Sequence, residues 1–109
     1  MMPFEVFITD DAAGDLEGLF NYVAANDAPE KAEFVLGQIE KVLNALAEFP
    51  ERGTFPKELL SVGVREYREV FFKPYRIIYR VIGTRVYIYL IADGRRDMQS
   101  LLQRRLLGA

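Results

Sequence analysis

The chain predicts an α+β fold: a helical hairpin packed on an antiparallel sheet, in the order β-α-α-β-β-β-α. Three observations carry this. Two long stretches with apolar residues at helical spacing follow one another across Asp27-Ala28-Pro29. Three strand-like runs, joined by short turns, then fill Arg65–Asp97. A short alternating run precedes the first helix, and a last apolar stripe follows the strands.

Phe4-Glu5-Val6-Phe7-Ile8 alternates weakly and reads as the first strand. Thr9 or Asp10 supplies a capping oxygen for the next helix, and Asp11 and Asp15 sit favourably at its positive end. Ala13, Leu16, Phe20 and Val23, with Leu19 beside them, form its apolar stripe. Gly14 weakens this helix by roughly 1 kcal/mol against alanine, so it depends on packing. It should stop near Asn26. Pro29 starts a second helix, since proline at the first helical position gives up no helical hydrogen bond. Ala32, Val35, Leu36, Ile39, Val42, Leu43 and Leu46 make a wide stripe, with Glu33, Glu40, Lys41 and Glu48 facing away. The expected end is Phe49-Pro50, because a residue before proline avoids the helical region. Glu51–Val64 contains Gly53, Pro56 and Gly63 and reads as a loop, pinned by Leu59, Leu60 and Val62.

The strands turn at Lys73-Pro74 and Gly83-Thr84. Tyr75, Ile77, Tyr79 and Val81 share one face of the middle strand; Arg76, Ile78, Arg80 and Ile82 share the other. Gly83 at the first central position marks a II′ hairpin turn. Val86–Ala92 is almost continuously apolar, the mark of a central strand covered on both faces. Asp93-Gly94 closes it. Asp97 caps a final helix with Met98, Leu101, Leu102 and Leu106 on one side and Arg104 and Arg105 on the other.

A chain of 109 residues, half of them hydrophobic, is expected to be a single domain, 1–109, with one real core. It has no cysteine and no histidine. That removes disulfides, thiol nucleophiles, thiolate metal sites and the usual general base. No glycine-rich phosphate loop, nucleophile elbow or metal-ligand spacing occurs, so no cofactor and no metal is expected. Met1-Met2-Pro3 shows no leader pattern and no window approaches a membrane span, so a cytoplasmic protein is the expectation. Residues 1–63 hold 12 Asp/Glu against 4 Lys/Arg, a balance of −8, and residues 64–109 hold 4 against 10, a balance of +6. This polarity points either to an anionic partner for the second half or to attraction between the halves.

Arg76 and Arg80 share a strand face. With Arg68 from the neighbouring strand and Arg95 and Arg96 from the following turn, they would build a basic patch. Such a patch holds phosphates bidentately or receives an acidic protein segment. Alternatively Glu66 and Glu69 pair with it. Tyr75, Tyr79, Tyr87 and Tyr89 either stack bases or pack in the core with a hydroxyl at the rim. Asp93 and Asp97 are better explained by turn and cap duties than as an acid–base pair. Leu101, Leu102 and Leu106 either close the core or present themselves to a partner.

Tyr75-Arg76-Ile77-Ile78-Tyr79-Arg80-Val81 resembles the corresponding strand of the RelE/ParE toxin superfamily of type II toxin–antitoxin systems. Gly63-Val64-Arg65, the run VYIYLIADGRRD from Val86 to Asp97 and the helix exit Phe49-Pro50-Glu51-Arg52-Gly53 extend the resemblance over essentially the whole chain. It implies the fold already read from periodicity. It also implies one of two activities: cleavage of messenger RNA in the ribosome by RelE-like members, or poisoning of DNA gyrase by ParE-like members. The RelE-like nucleases use two lysines, two arginines and a C-terminal tyrosine. The arginines match Arg76 and Arg96. The lysine positions fall on Tyr67 and Glu69, and the tyrosine position falls on Leu102. The resemblance therefore implies a ParE-like, non-catalytic inhibitor of gyrase, neutralised by a cognate antitoxin in a toxin–antitoxin hetero-oligomer. Direct nucleic-acid binding is not expected outside such a complex. The alternatives are an endoribonuclease using Arg76, Arg96 and Glu69, and a non-toxic interaction module on the same fold.

Overall fold

The computed structural model describes residues 3–108; the opening Met1-Met2 lies outside the described residues. Its elements are β1 (Glu5–Ile8), α1 (Asp10–Asn26), α2 (Pro29–Ala45), α3 (Lys57–Leu60), β2 (Arg68–Phe72), β3 (Tyr75–Ile82), β4 (Arg85–Asp93) and α4 (Met98–Leu107). The four strands form one sheet in the order β1-β4-β3-β2. The β2–β3 and β3–β4 pairs are antiparallel, whereas β1 joins β4 in parallel, with Val6 beside Val86 and Ile8 beside Ile88. β4 is thus central, as its apolar run requires.

Local chemistry sets the element boundaries. Thr9 caps α1 by accepting from the Ala12 amide at 3.2 Å, while its hydroxyl donates to the Ile88 carbonyl at 2.9 Å. One side chain therefore starts the helix and ties it to the central strand. The buried stripe of α1 runs through Ala12 and Val23, and Ala13 is exposed, one position off the expected phase. Pro29 opens α2 as expected. α2 stops at Ala45 rather than Phe49, because Leu46 turns into the core and the Ala47 carbonyl accepts from the Phe4 amide at 2.8 Å. The expected loop contains the single turn α3, too short to leave a periodic signal. Gly83 has φ of 61° and Thr84 is not left-handed, as a II′ turn requires.

Both faces of the sheet are covered. The α1–α2 hairpin packs on one face, where Ile39, Leu43 and Leu46 meet Ile77, Tyr79, Val86 and Ile88 of the strands. On the other face α3 and α4 enclose Leu59, Ile78, Leu90, Met98, Leu101 and Leu102. Each fully buried aliphatic side chain here contributes about 1.5–3 kcal/mol of burial free energy. A β-bulge interrupts β4: pairing passes from Ile78–Leu90 to Tyr79–Ile88, leaving Tyr89 as the extra residue. No helix among the described residues is long and apolar enough to cross a membrane.

Candidate functional site

Arg76 lies beneath α3, on the α4 side of the sheet, and is buried. Its Nε donates to Glu69 Oε1 at 2.7 Å. Its Nη1 and Nη2 grip Glu58 in a bidentate pair, both at 2.8 Å. One guanidinium thus faces two carboxylates in a nearly dry pocket. The pairing with Glu58 raises the Arg76 pKa further, and the same hydrogen bonds hold the Glu58 carboxyl below its usual range. Gly94 makes room for the arginine stem: a Cβ there would stand 2.8 Å from Arg76 Cδ and 3.2 Å from the Pro74 carbonyl.

The neighbouring β2 edge is closed by the loop leaving α2. Thr54 and Glu69 exchange both backbone hydrogen bonds, at 3.1 and 2.7 Å. The Gly53 amide donates to the Tyr79 hydroxyl at 3.0 Å. A Cβ on Gly53 would come within 2.6 Å of that hydroxyl and 2.7 Å of the Glu69 carbonyl, so only glycine lets the loop lie flat on the strand. Tyr79 is fully buried, and this burial pushes its pKa up.

The five arginines read as a patch do not form one. Strand alternation puts Arg68 on the hairpin side with Val70 and Phe72, opposite Arg76. There it donates to the Gly53 carbonyl at 2.9 Å and stacks over Phe55 at 4.7 Å. Arg80 sits 3.9 Å from Glu66 and lies over the Tyr67 ring at 5.9 Å. Arg95 is held by Asp93, with Nε to Oδ1 at 2.9 Å. Arg96 is exposed and makes no ion pair among the described residues. Glu66 and Glu69 therefore neutralise Arg80 and Arg76, the alternative that the strand spacing had left open. Asp97 caps α4 through Ser100, and hydrogen bonds from Ser100 lower its pKa.

The leucines read as partner contacts are internal. Leu102 is fully buried, Leu101 nearly so, and Leu106 packs against the same core, because α4 must cover the otherwise bare second face. Tyr67 and Tyr89 meet edge to face at 5.5 Å, Tyr87 stacks on Phe7 at 5.5 Å, and Tyr75 joins the hairpin core.

Glu58 carries no signal in the sequence, and Asp15 and Arg105 read there only as a charge near the start of the first helix and as the polar side of the last. Asp15, on α1, accepts from the Ile91 amide at 3.0 Å and from Arg105 at 2.8 Å; Arg105 also donates to the Tyr89 carbonyl at 3.0 Å. Together they satisfy the Tyr89 carbonyl at the bulge and the Ile91 amide on the edge of β4 past the end of β1. Asp15 and Glu58 lie in the acidic half and their arginines in the basic half, so the charge polarity is partly spent across the fold. The Asp15 hydrogen bond raises the Arg105 pKa.

Solved structures sharing the fold include the chromosomal ParDE toxin–antitoxin system of P. aeruginosa (TM-score 0.69, 22% identity, 83% of this chain and 95% of that one). They also include the RelBE2 toxin–antitoxin complex of Mycobacterium tuberculosis (0.58, 21%, 84% and 98%) and a free mutant of E. coli toxin RelE (0.62, 16%, 92% and 93%). These likenesses define the fold, the one shared by those ParE- and RelE-type structures. Residues 6–98 match the family model described as ParE toxin of type II toxin-antitoxin system, parDE. Toxin ParE3 of Caulobacter vibrioides is 33% identical over 97 residues, covering 89% of this chain and 93% of that protein. The chain belongs to the ParE toxin family of type II toxin–antitoxin systems.

Proposed function

We propose that this ParE-family toxin binds and inhibits DNA gyrase in the cytoplasm without catalysing a reaction itself, and that a cognate antitoxin neutralises it. The observation that carries the choice over RNA cleavage is the enclosure of Arg76 by Glu58 and Glu69. Attack by a 2′-hydroxyl needs a proton acceptor, a proton donor and cationic stabilisation of the phosphate. The strand arginine that would supply the last is fully engaged in a cluster carrying one net negative charge. The positions matched to the two nuclease lysines are the buried Tyr67 and Glu69, and the position matched to its tyrosine is the core residue Leu102. A phosphate approaching Arg76 meets no free cation there; of the matched positions Arg96 alone is exposed and without an ion pair among the described residues.

Gyrase with relaxed plasmid and excess purified toxin is the direct assay. The expected result is loss of supercoiling with trapped, cleaved DNA. Unimpaired supercoiling without cleavage complexes would sink the gyrase reading, and codon-linked cuts in translated messages would establish the endoribonuclease instead. Normal growth on expression without an antitoxin would point to the non-toxic module. An antitoxin partner is supported by family membership; co-expression of a cognate antitoxin should restore growth.

A further inference from the structure

A cavity of about 620 Å³ opens between α1 and the far end of β4, away from the Arg76 cluster. Its volume is that of a small-molecule pocket. β1 reaches only as far as Ile88, through Ile8 and the Thr9 amide, so the last residues of β4 have no strand on that side. Backbone groups alternate in direction along a strand, and Ile91 and Asp93 turn theirs away from β3, towards the cavity. Two of these four groups are taken. Asp15 accepts from the Ile91 amide at 3.0 Å, and the Asp93 carbonyl accepts from the Arg96 amide at 3.2 Å. The Ile91 carbonyl and the Asp93 amide take no protein partner among the described residues. One acceptor and, two residues on, one donor thus stand together on the cavity wall. Such a pair calls for a partner from outside the chain.

Two groups are too few to seat a strand, whose pairing needs a run of them. They are enough for the edge of a nucleobase. Adenine carries an amino donor beside the N1 acceptor on one edge, the complement of a carbonyl followed by an amide. The rest of the cavity suits such a ring. Leu19 and Val23 of α1 give it an apolar wall, and Tyr22 and Tyr75 give aromatic surface. Gly14 and Gly18 leave the helix bare where it faces the edge, and a Cβ on either would meet nothing within 4 Å. Asp15 is neutralised by Arg105 and Asp93 by Arg95, whereas Arg96 is exposed and makes no ion pair among the described residues. The rim therefore keeps one free guanidinium, and a phosphate is its natural counter-ion.

We infer that this cavity binds an adenine mononucleotide. The base lies on the edge of β4, its amino group donating to the Ile91 carbonyl and its N1 accepting from the Asp93 amide, and the phosphate rests on Arg96. The site stands whether or not gyrase is the target of the toxin.

The test uses the whole chain labelled with ¹⁵N. It is titrated with adenosine monophosphate, its guanine and cytosine counterparts, adenosine, inorganic phosphate and an oligodeoxyadenylate. Adenosine monophosphate should shift the Asp93 amide and slow its exchange. It should bind about tenfold more tightly than the guanine nucleotide, whose edge reverses donor and acceptor, and than the smaller cytosine nucleotide. Gly18→Leu fills the cavity at an exposed helix position, where leucine is the better helix former, so its melting temperature should not fall. It should weaken the adenine nucleotide about tenfold. Arg96→Gln should weaken the nucleotide about fivefold and leave adenosine binding unchanged, a split that a purely structural role would not produce. No shift with millimolar adenosine monophosphate, equal binding of the guanine or cytosine nucleotide, or the same Asp93 shift from inorganic phosphate alone would each overturn the inference. So would tighter binding of the oligodeoxyadenylate, or full nucleotide binding by Gly18→Leu.

Discussion

The two faces of the sheet are built on different physics. The hairpin face is an apolar core whose one deeply buried hydroxyl, on Tyr79, is satisfied by Gly53. The α3–α4 face mixes a smaller apolar core with the enclosed charges of Arg76, Glu58 and Glu69. The hairpin face needs only residues of suitable size at the right period. On the other face three charged groups must meet within hydrogen-bond distance, since a buried charge left unpaired is costly. The difference gives Arg76 a structural part: it holds two carboxylates together inside the polar face.

Removing Arg76 should break the polar face most severely. Arg76→Ala leaves Glu58 and Glu69 together in the interior and should cost about 3–5 kcal/mol, read from the urea midpoint at pH 7. The effect depends on pH with a definite sign. Pairing with Arg76 holds the Glu58 carboxyl below its ordinary value of 4.5. Its contribution is therefore present above about pH 4.5 and lost as pH falls through the depressed native value. The stability gap between wild type and Arg76→Ala should narrow as pH falls through that depressed value. An unchanged midpoint at pH 7 would erase the contrast between the faces.

Leu102→Ala sharpens the comparison from the apolar side of the same face. It empties a fully buried position and should cost about 2–5 kcal/mol with no pH dependence of its own. A loss well below this in calorimetry would mean that α4 is loosely docked. Asp15→Ala removes the partner of both Arg105 and the Ile91 amide and should cost about 1–3 kcal/mol. Hydrogen exchange at Ile91 should accelerate, and exchange at wild-type rates would deny Asp15 its role at the bulge. Thr9→Ala should cost about 1 kcal/mol through the lost cap, with the first turn of α1 exchanging faster. A neutral result would assign the start of α1 to packing alone.

Much of the fold was legible. Pro29, Thr9, Gly83 and Asp97 each announce a boundary through local backbone chemistry, and the stripe of α2 repeats often enough to fix its inner face. The misplaced phase in α1 has a simple origin: Ala12 and Ala13 are adjacent, and composition alone does not choose between them. The end of α2 was set by a distant strand borrowing the Ala47 carbonyl, which no helix-stop signal encodes. The candidate site was less legible. Arg68 was grouped with Arg76 because both lie on neighbouring strands, but register decides which face each takes. Glu58 sits in a turn without periodicity, and nothing near it announces an arginine.

The sequence by itself determined the order of the longer elements, the inner face of α2 and the family, because these rest on periodicity and on residues close together in the chain. Only the tertiary structure decided the fate of the charges. Arg76 meets a carboxylate 18 positions away and Arg105 one 90 positions away. Such pairings follow from strand register, a bulge and the docking of α4. They are fixed when the whole chain packs, since bringing charges out of water is tolerable only where the partner is already in place.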